Sequence, residues 1–220
     1  MGFRLRTGLS FCLAGGEPVF LDTIADRYFS LTEGGARSFM ELVNATPDPA
    51  LSAGLAGLAR NRVIEPTADD ARPIPCPAPS PAAASLLDVP RPPLNLLQFA
   101  AAASELAWVT AMLKRGRFHA LLEGVRRRKA RLSVGDPAPD KQLEVAAAFA
   151  QNAYWSSPHD RCLARSIAVA RRLIASGCRP DLILGIQLQP FRAHCWVQCG
   201  AMLVNDRRDT VEPFTPILMV

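Results

Sequence analysis

Three residues in the last quarter of the chain, Cys162, His194 and Asp206, have the types and order that thiol chemistry needs. A thiol becomes a nucleophile at neutral pH when an imidazole takes its proton, and the imidazole is oriented in turn by a carboxylate. Cys162 lies in Asp160-Arg161-Cys162-Leu163-Ala164-Arg165-Ser166, His194 in Ala193-His194-Cys195-Trp196-Val197, and Asp206 in Val204-Asn205-Asp206. The set points to a cysteine hydrolase. Cys162 falls in the first turn of an expected helix, after Pro158 and Asp160, where unpaired N–H groups and the helix dipole favour a thiolate. Asp160 works partly against that. The plainer readings are a Cys162 that packs as a small hydrophobe, a half-buried His194 and an Asp206 that serves a turn. Asp209 competes for the carboxylate role and His159 for the base.

A zinc site built from Cys162, His194, Cys195 and Cys199 is the rival chemistry. His194 and Cys195 are adjacent and point to opposite faces of a strand, and no C-x₂-C pair is present, so no metal is expected. Cys178, Cys195 and Cys199 read as core packing, and His119 as a surface or cap residue.

The elements that must position these groups follow from periodicity. Leu163, Ile167, Ala170 and Ile174 define a helix that Gly177 stops. Leu182-Ile183-Leu184-Gly185-Ile186 reads as a buried strand. Ala193 to Cys199 and Met202 to Val204 flank Gly200 as a hairpin. For Asp206 to share the face of His194 the two strands must pair with an even residue sum. A three-residue turn at Cys199-Gly200-Ala201 would put the two directly opposite. Upstream, Leu94 to Lys114 reads as a buried helix, Phe118 to Arg131 as an amphipathic one, and Lys141 to Trp155 as a third. Helices followed by a small antiparallel sheet are what a papain-like or transglutaminase-like fold requires.

Composition narrows the class. A hydrophobic content of 49% supplies a core, and no uninterrupted apolar run reaches the length of a membrane span. Met1 to Ser10 lacks the apolar run of a secretory signal. A cytoplasmic protein with reduced thiols is expected. Net charge is +5. The dense basic run Arg126-Arg127-Arg128-Lys129 with Arg131 suits the solvated C-terminal end of a helix. It lacks the aromatic interleaving of a nucleic-acid surface, so no nucleic acid is expected.

Prolines from Pro66 to Pro93 divide the chain, because each removes a donor and fixes φ. Residues 66–93 are expected to be an extended linker between domains at 1–65 and 94–220. The first half reads as small α+β. Phe3 to Leu9, Phe11 to Leu13, Glu17 to Leu21 and Tyr28 to Leu31 are strands, with a turn at Gly15-Gly16. Thr32 caps a helix to Asn44, and Leu51, Leu55 and Leu58 mark another. Strands followed by helices suggest a miniature winged helix-turn-helix. As a DNA reader its recognition helix would carry only Arg60 as a cation, which is poor for that task.

Leu21-Asp22, Tyr28-Phe29-Ser30-Leu31-Thr32, Gly35-Ala36 and Phe39 resemble the precursor-peptide recognition domain of ribosomal peptide biosynthesis. That resemblance implies a leader peptide added as a strand at the edge near Asp26 to Leu31, against the helix near Leu51 to Arg60. Tyr28, Phe29, Leu31, Leu55 and Leu58 would line its site.

The second half resembles the lasso-peptide leader peptidase family of the transglutaminase-like superfamily. The segments that carry this are Asp160 to Ser166, Leu184-Gly185-Ile186, Pro190 to Val197 and Leu203-Val204-Asn205-Asp206. Cys195 departs from the family's more usual small residue, and Gln198 from a common acidic one. The resemblance implies an α+β chain in which a winged helix-turn-helix domain joins a transglutaminase/papain-like cysteine peptidase domain. The first half would hold the leader of a ribosomal precursor, and the second would cut leader from core. Cys162 would attack, His194 shuttle the proton and Asp206 orient it. The oxyanion would rest on the Cys162 N–H and a second donor from Trp155, Gln151 or Ser156. A lasso cyclase of the asparagine-synthetase type would then close the macrolactam. With no Gly-rich phosphate loop here, ATP belongs to that partner, and this chain needs no cofactor. Two alternatives stay open: an acyl transferase with the same triad, and a non-catalytic leader-binding scaffold.

Overall fold

In the computed structural model the chain forms two compact units, Met1–Pro77 and Ala78–Val220. Residues 2–44, 51–90, 92–93, 95–133, 139–152 and 162–220 are described, with the side chains of 51–53 excepted. Tyr154, Trp155, Ser156, Pro158, His159 and Asp160 lie outside that set.

The first unit runs β1 (Gly2–Leu5), β2 (Leu9–Ala14), β3 (Glu17–Asp22), β4 (Arg27–Ser30), α1 (Glu33–Asn44), α2 (Leu51–Arg60) and β5 (Ile64–Thr67). β2, β3 and β4 form an antiparallel sheet with β4 at one edge. Gly15 and Gly16 take positive φ in the β2–β3 turn. That is the left-handed conformation for which glycine is suited. The Thr32 carbonyl accepts from the Ala36 N–H at 2.8 Å and opens α1. Phe11, Phe20 and Phe39 meet at the core, with Phe39 edge-on to the other two at 4.9 Å between ring centroids. Such pairs add to the burial of their area.

The second unit runs β6 (Ala84–Ser85), α3 (Leu96–Lys114), α4 (Phe118–Ala130), α5 (Pro139–Asn152), α6 (Cys162–Ala175), β7 (Asp181–Gln187), β8 (Arg192–Cys199), β9 (Met202–Leu203), α7 (Arg208–Val211) and β10 (Thr215–Met219). Its sheet has the order β10-β7-β8-β9-β6, antiparallel except for β9 with β6. Helix α6 is buried along most of its length, from Ala164 to Ile174. It stops where Gly177 takes φ 84° and the Cys178 N–H reaches back to the Leu173 carbonyl at 2.9 Å. This is the glycine-capped helix end that the sequence signals. The opposite face of the sheet is covered by Val211 and Phe214 against Ile183, Trp196 and Leu203. Mixed α/β architecture therefore holds in both units.

Three expectations are corrected. The stretch 66–93 is not a bare linker. Pro66 sits in β5, which among the described residues pairs only with β1, and proline is tolerated in a strand whose other edge is unpaired. The Cys76 N–H bonds the Phe11 carbonyl at 2.8 Å in the first unit. Ala84 and Ser85 join the second unit's sheet. Nor is α3 buried. Only Ala102 and Val109 are, while Leu96, Leu97 and Trp108 are exposed. An alanine-rich helix that is apolar all round has no stripe to mark its inner face. By length and mean hydropathy, 1.4, α3 is long and apolar enough to cross a membrane. Its midpoint carries Glu105, paired with Arg171 of α6, and Arg171 also stacks on the Trp108 ring at 4.2 Å.

The third correction concerns register. Gln198 pairs with Leu203 and Cys199 with Met202, so Gly200 and Ala201 make a two-residue turn and the residue sum is odd. Alternation along the hairpin does not bring Asp206 to His194. The ladder ends at Leu203, and the bend from Val204 to Asp206 makes the approach instead.

Candidate active site

Cys162 is the first residue of α6 and is partly buried. His194 lies near the start of β8, paired across the sheet with Gly185. A Cβ at Gly185 would stand 2.8 Å from the Trp196 ring, so glycine there lets Trp196 lie flat against the sheet. Trp196, two residues on from His194 and on the same face, is stacked with it at 6.2 Å, and Phe214 tilts against the imidazole at 5.1 Å. The ring is thus held on its apolar sides.

Its polar sides are also engaged. His194 Nε2 lies 2.5 Å from Asp206 Oδ2. With Nε2 taken, Nδ1 is the ring nitrogen left for the hydrogen bond with the Cys162 sulfur. The other carboxylate oxygen of Asp206 accepts from the Arg207 N–H at 2.8 Å. The Asp206 carbonyl accepts from the Ser85 hydroxyl at 2.6 Å, which ties the bend to β6.

Electrostatics follow from this geometry. Burial pushes the Cys162 thiol up, but its hydrogen bond to His194, the imidazolium charge and N–H groups of Cys195 and Leu163 outweigh burial, and its pKa is lowered. Burial pulls His194 down, but Asp206 and Cys162 outweigh it and raise its pKa to about 9. Both shifts favour a thiolate–imidazolium pair over a neutral thiol and imidazole. Four other thiols go the other way. Burial pushes Cys12 up to about 12, Cys76 to about 11, Cys199 to about 12 and Cys195 well above its ordinary value.

Three supporting residues carry no sequence signal of their own. Ser166, fully buried on α6, donates to the Cys195 carbonyl at 2.7 Å and accepts from Asn205 Nδ2 at 2.9 Å. Asn205 Oδ1 accepts from the Val197 N–H at 2.8 Å. This chain of bonds joins α6, β8 and the bend that carries Asp206, and so fixes the three elements on which the site depends. Ser85, 121 positions from Asp206, closes the other side. Asn205 and Ser166 do lie within segments singled out from sequence, but only as neighbours of Asp206 and Cys162.

The first unit holds a second feature. A cleft of about 560 Å³ lies beside β4 and α2. Phe29, Leu31 and Leu58 line it; Tyr28 and Leu55 are not among its lining residues. Tyr28 alternates to the face opposite Phe29, which stacks on Phe20 at 5.1 Å, and Leu55 packs on the aromatic core. Among the described residues the outer edge of β4 pairs with no strand.

Residues 104–219 match the family described as the transglutaminase-like superfamily. A 45-residue stretch is 38% identical to the microcin J25-processing protein McjB of Escherichia coli; it covers 20% of this chain and 22% of that protein. No solved structure matches the chain.

Proposed function

Because this chain belongs to the transglutaminase-like superfamily, with more than half its length in the match, we propose that it is a cysteine peptidase of lasso-peptide maturation. It holds the leader of a ribosomal precursor on its first unit and cuts leader from core with its second. The observation that carries the reading is the acidified Cys162 beside a His194 whose pKa is raised to about 9 and which Asp206 holds. The partial likeness to McjB supports the same pathway.

The steps follow from the geometry. The Cys162 thiolate attacks the scissile carbonyl, and negative charge moves to its oxygen. The Cys162 N–H, at the first position of α6, has no partner within the helix and is placed to receive that oxygen. A second donor comes from Gln151, Trp155 or Ser156. As the C–N bond breaks, the imidazolium gives its proton to the leaving amine, which becomes the free amino end of the core. A thioester remains on Cys162. His194 then takes a proton from water, hydroxide adds to the thioester, and the leader departs as a carboxylate with the thiolate restored. Asp206 fixes the ring throughout. The freed amine is the group that a partner macrolactam synthetase, driven by ATP, joins to a side-chain carboxylate of the core.

Leader capture uses the unpaired β4 edge for main-chain hydrogen bonds and the cleft beside α2 for side chains. Mass spectrometry of the neighbouring gene's small precursor peptide, after incubation with the native chain or Cys162→Ala, tests the reading. It expects an intact leader from the native chain alone. Cleavage by both would remove Cys162 from the mechanism, and leader binding without cleavage by either would favour the scaffold.

A further inference from the structure

The cleft beside β4 is unevenly charged. Its lining holds three arginines, Arg6, Arg27 and Arg62, and one acid, Asp22. Arg6 and Asp22 cancel: Arg6 Nη2 lies 2.6 Å from Asp22 Oδ2, and both side chains are largely buried. The other Asp22 oxygen accepts from the N–H groups of Ile24 and Ala25 at 3.1 and 3.0 Å. Both Asp22 oxygens are therefore engaged within the fold. Arg6 also donates to the Arg62 carbonyl at 3.0 Å, which pins the backbone that presents Arg62. Arg27 lies over the Phe29 ring at 5.6 Å, on the apolar floor. Arg27 and Arg62 are both exposed and have no carboxylate partner among the described residues.

The backbone around them adds a second constraint. Gly34 and Gly57 line the same cleft, and a Cβ at either would meet nothing within 4 Å. Space is left at the walls for a chain to approach closely. Together with the unpaired β4 edge, this favours an extended polypeptide over nucleic acid, which has no main-chain ladder to add.

We propose that the first unit selects an extended peptide strand bearing at least one Asp or Glu, placed by Arg27 and Arg62, beside apolar side chains that enter the cleft over Phe29, Leu31 and Leu58. The inference rests on the reading of this unit as the leader-binding part, and it specifies the chemistry of what is bound. The two arginines act as a charge filter at the rim. They speed association and reject basic segments, while the apolar floor supplies most of the holding energy.

The test is selection of random twelve-residue peptides displayed on phage by the full-length chain, beside the double variants R27E/R62E and R27Q/R62Q. Both side chains are exposed, and circular dichroism checks that each variant folds. The native chain is expected to enrich peptides that combine apolar residues with Asp or Glu. Synthetic copies should bind about tenfold or more weakly to R27Q/R62Q, and weaken with added salt. R27E/R62E should turn the preference to Lys or Arg. Enrichment of apolar peptides with no acidic preference, unchanged in both variants, overturns the filter and leaves the leader-binding reading intact. Absence of any enriched peptide overturns both. Binding of a labelled DNA duplex in place of peptides, lost on charge reversal, would assign the arginines to phosphate.

Discussion

In the second unit, the bend that completes the site is held by hydrogen bonds: the Asp206 carboxylate by the Arg207 N–H and His194, the Asp206 carbonyl by Ser85, and the Asn205 side chain by Ser166 and the Val197 N–H. In the first unit, the cleft is bounded by a strand edge that is unpaired among the described residues, two glycines with open space above them and exposed arginines. One region is built from side chains and backbone held by specific hydrogen bonds, the other from backbone and room. The difference matches the tasks proposed for them. Bond cleavage needs a few groups in one geometry. Strand capture needs donors and acceptors that any sequence can supply, with selectivity left to pockets and charge.

The comparison predicts that substitutions in the second unit act on turnover and those in the first on binding. Cys162→Ala should abolish cleavage while leaving leader binding unchanged, as read by mass spectrometry and fluorescence anisotropy. His194→Ala should lower kcat/KM by roughly 10³- to 10⁵-fold, and Asp206→Asn by somewhat less, with KM little affected. A large rise in KM with normal kcat in either would break the division. Gly57→Leu should do the reverse. A helix accommodates leucine better than glycine, the Cβ meets nothing, and the side chain fills the cleft, so the protein should fold while leader affinity falls about tenfold or more. Ser166→Ala should cost about 1–3 kcal/mol of stability in denaturant unfolding, because Asn205 loses its buried acceptor.

The smallest effect is one of pH. In the native fold His194 keeps a proton above its ordinary 6.5, up to about 9, and Cys162 has released one below its ordinary 9.0. A raised imidazole gives stability that is full below 6.5 and lost as pH rises through the folded value. A lowered thiol gives stability that is present above 9.0 and lost as pH falls through its folded value. Where both operate, one proton is held and one released, so the native chain's stability changes little with pH. Cys162→Ala removes the thiol and leaves Asp206 to hold the imidazolium. Its stability should then fall as pH rises above 6.5, through a folded value below the native one. A flat profile in the variant would mean that Asp206 does not raise His194.

The same contrast explains what could be read from the sequence. Helix α6 was legible because Leu163, Ile167, Ala170 and Ile174 repeat at helical spacing and Gly177 ends them. The strand β7 was legible as a short apolar run. His194 and Asp206 were picked out by type and order. The route by which they meet was not, because a two-residue turn gives the wrong parity and an irregular bend repairs it. Ser85 and Ser166 act across 121 and 39 positions, and long-range hydrogen bonds leave no periodic trace. In the first unit the strand and helix positions are clear in the sequence, but which of their side chains face the cleft depends on how strands and helices pack on the aromatic core. Arg27 and Arg62 look like ordinary surface charges until Asp22 is seen to pair with Arg6.

The most direct measurement is the rate of Cys162 alkylation by iodoacetamide as a function of pH, read site by site by peptide mass spectrometry. A thiolate held by His194 should react below pH 9, ahead of Cys12, Cys76, Cys195 and Cys199, and His194→Ala should move its profile up towards that of a free thiol. A Cys162 that reacts only as the pH approaches 9, with the same profile in His194→Ala, would contradict the ion pair and with it the proposed nucleophile.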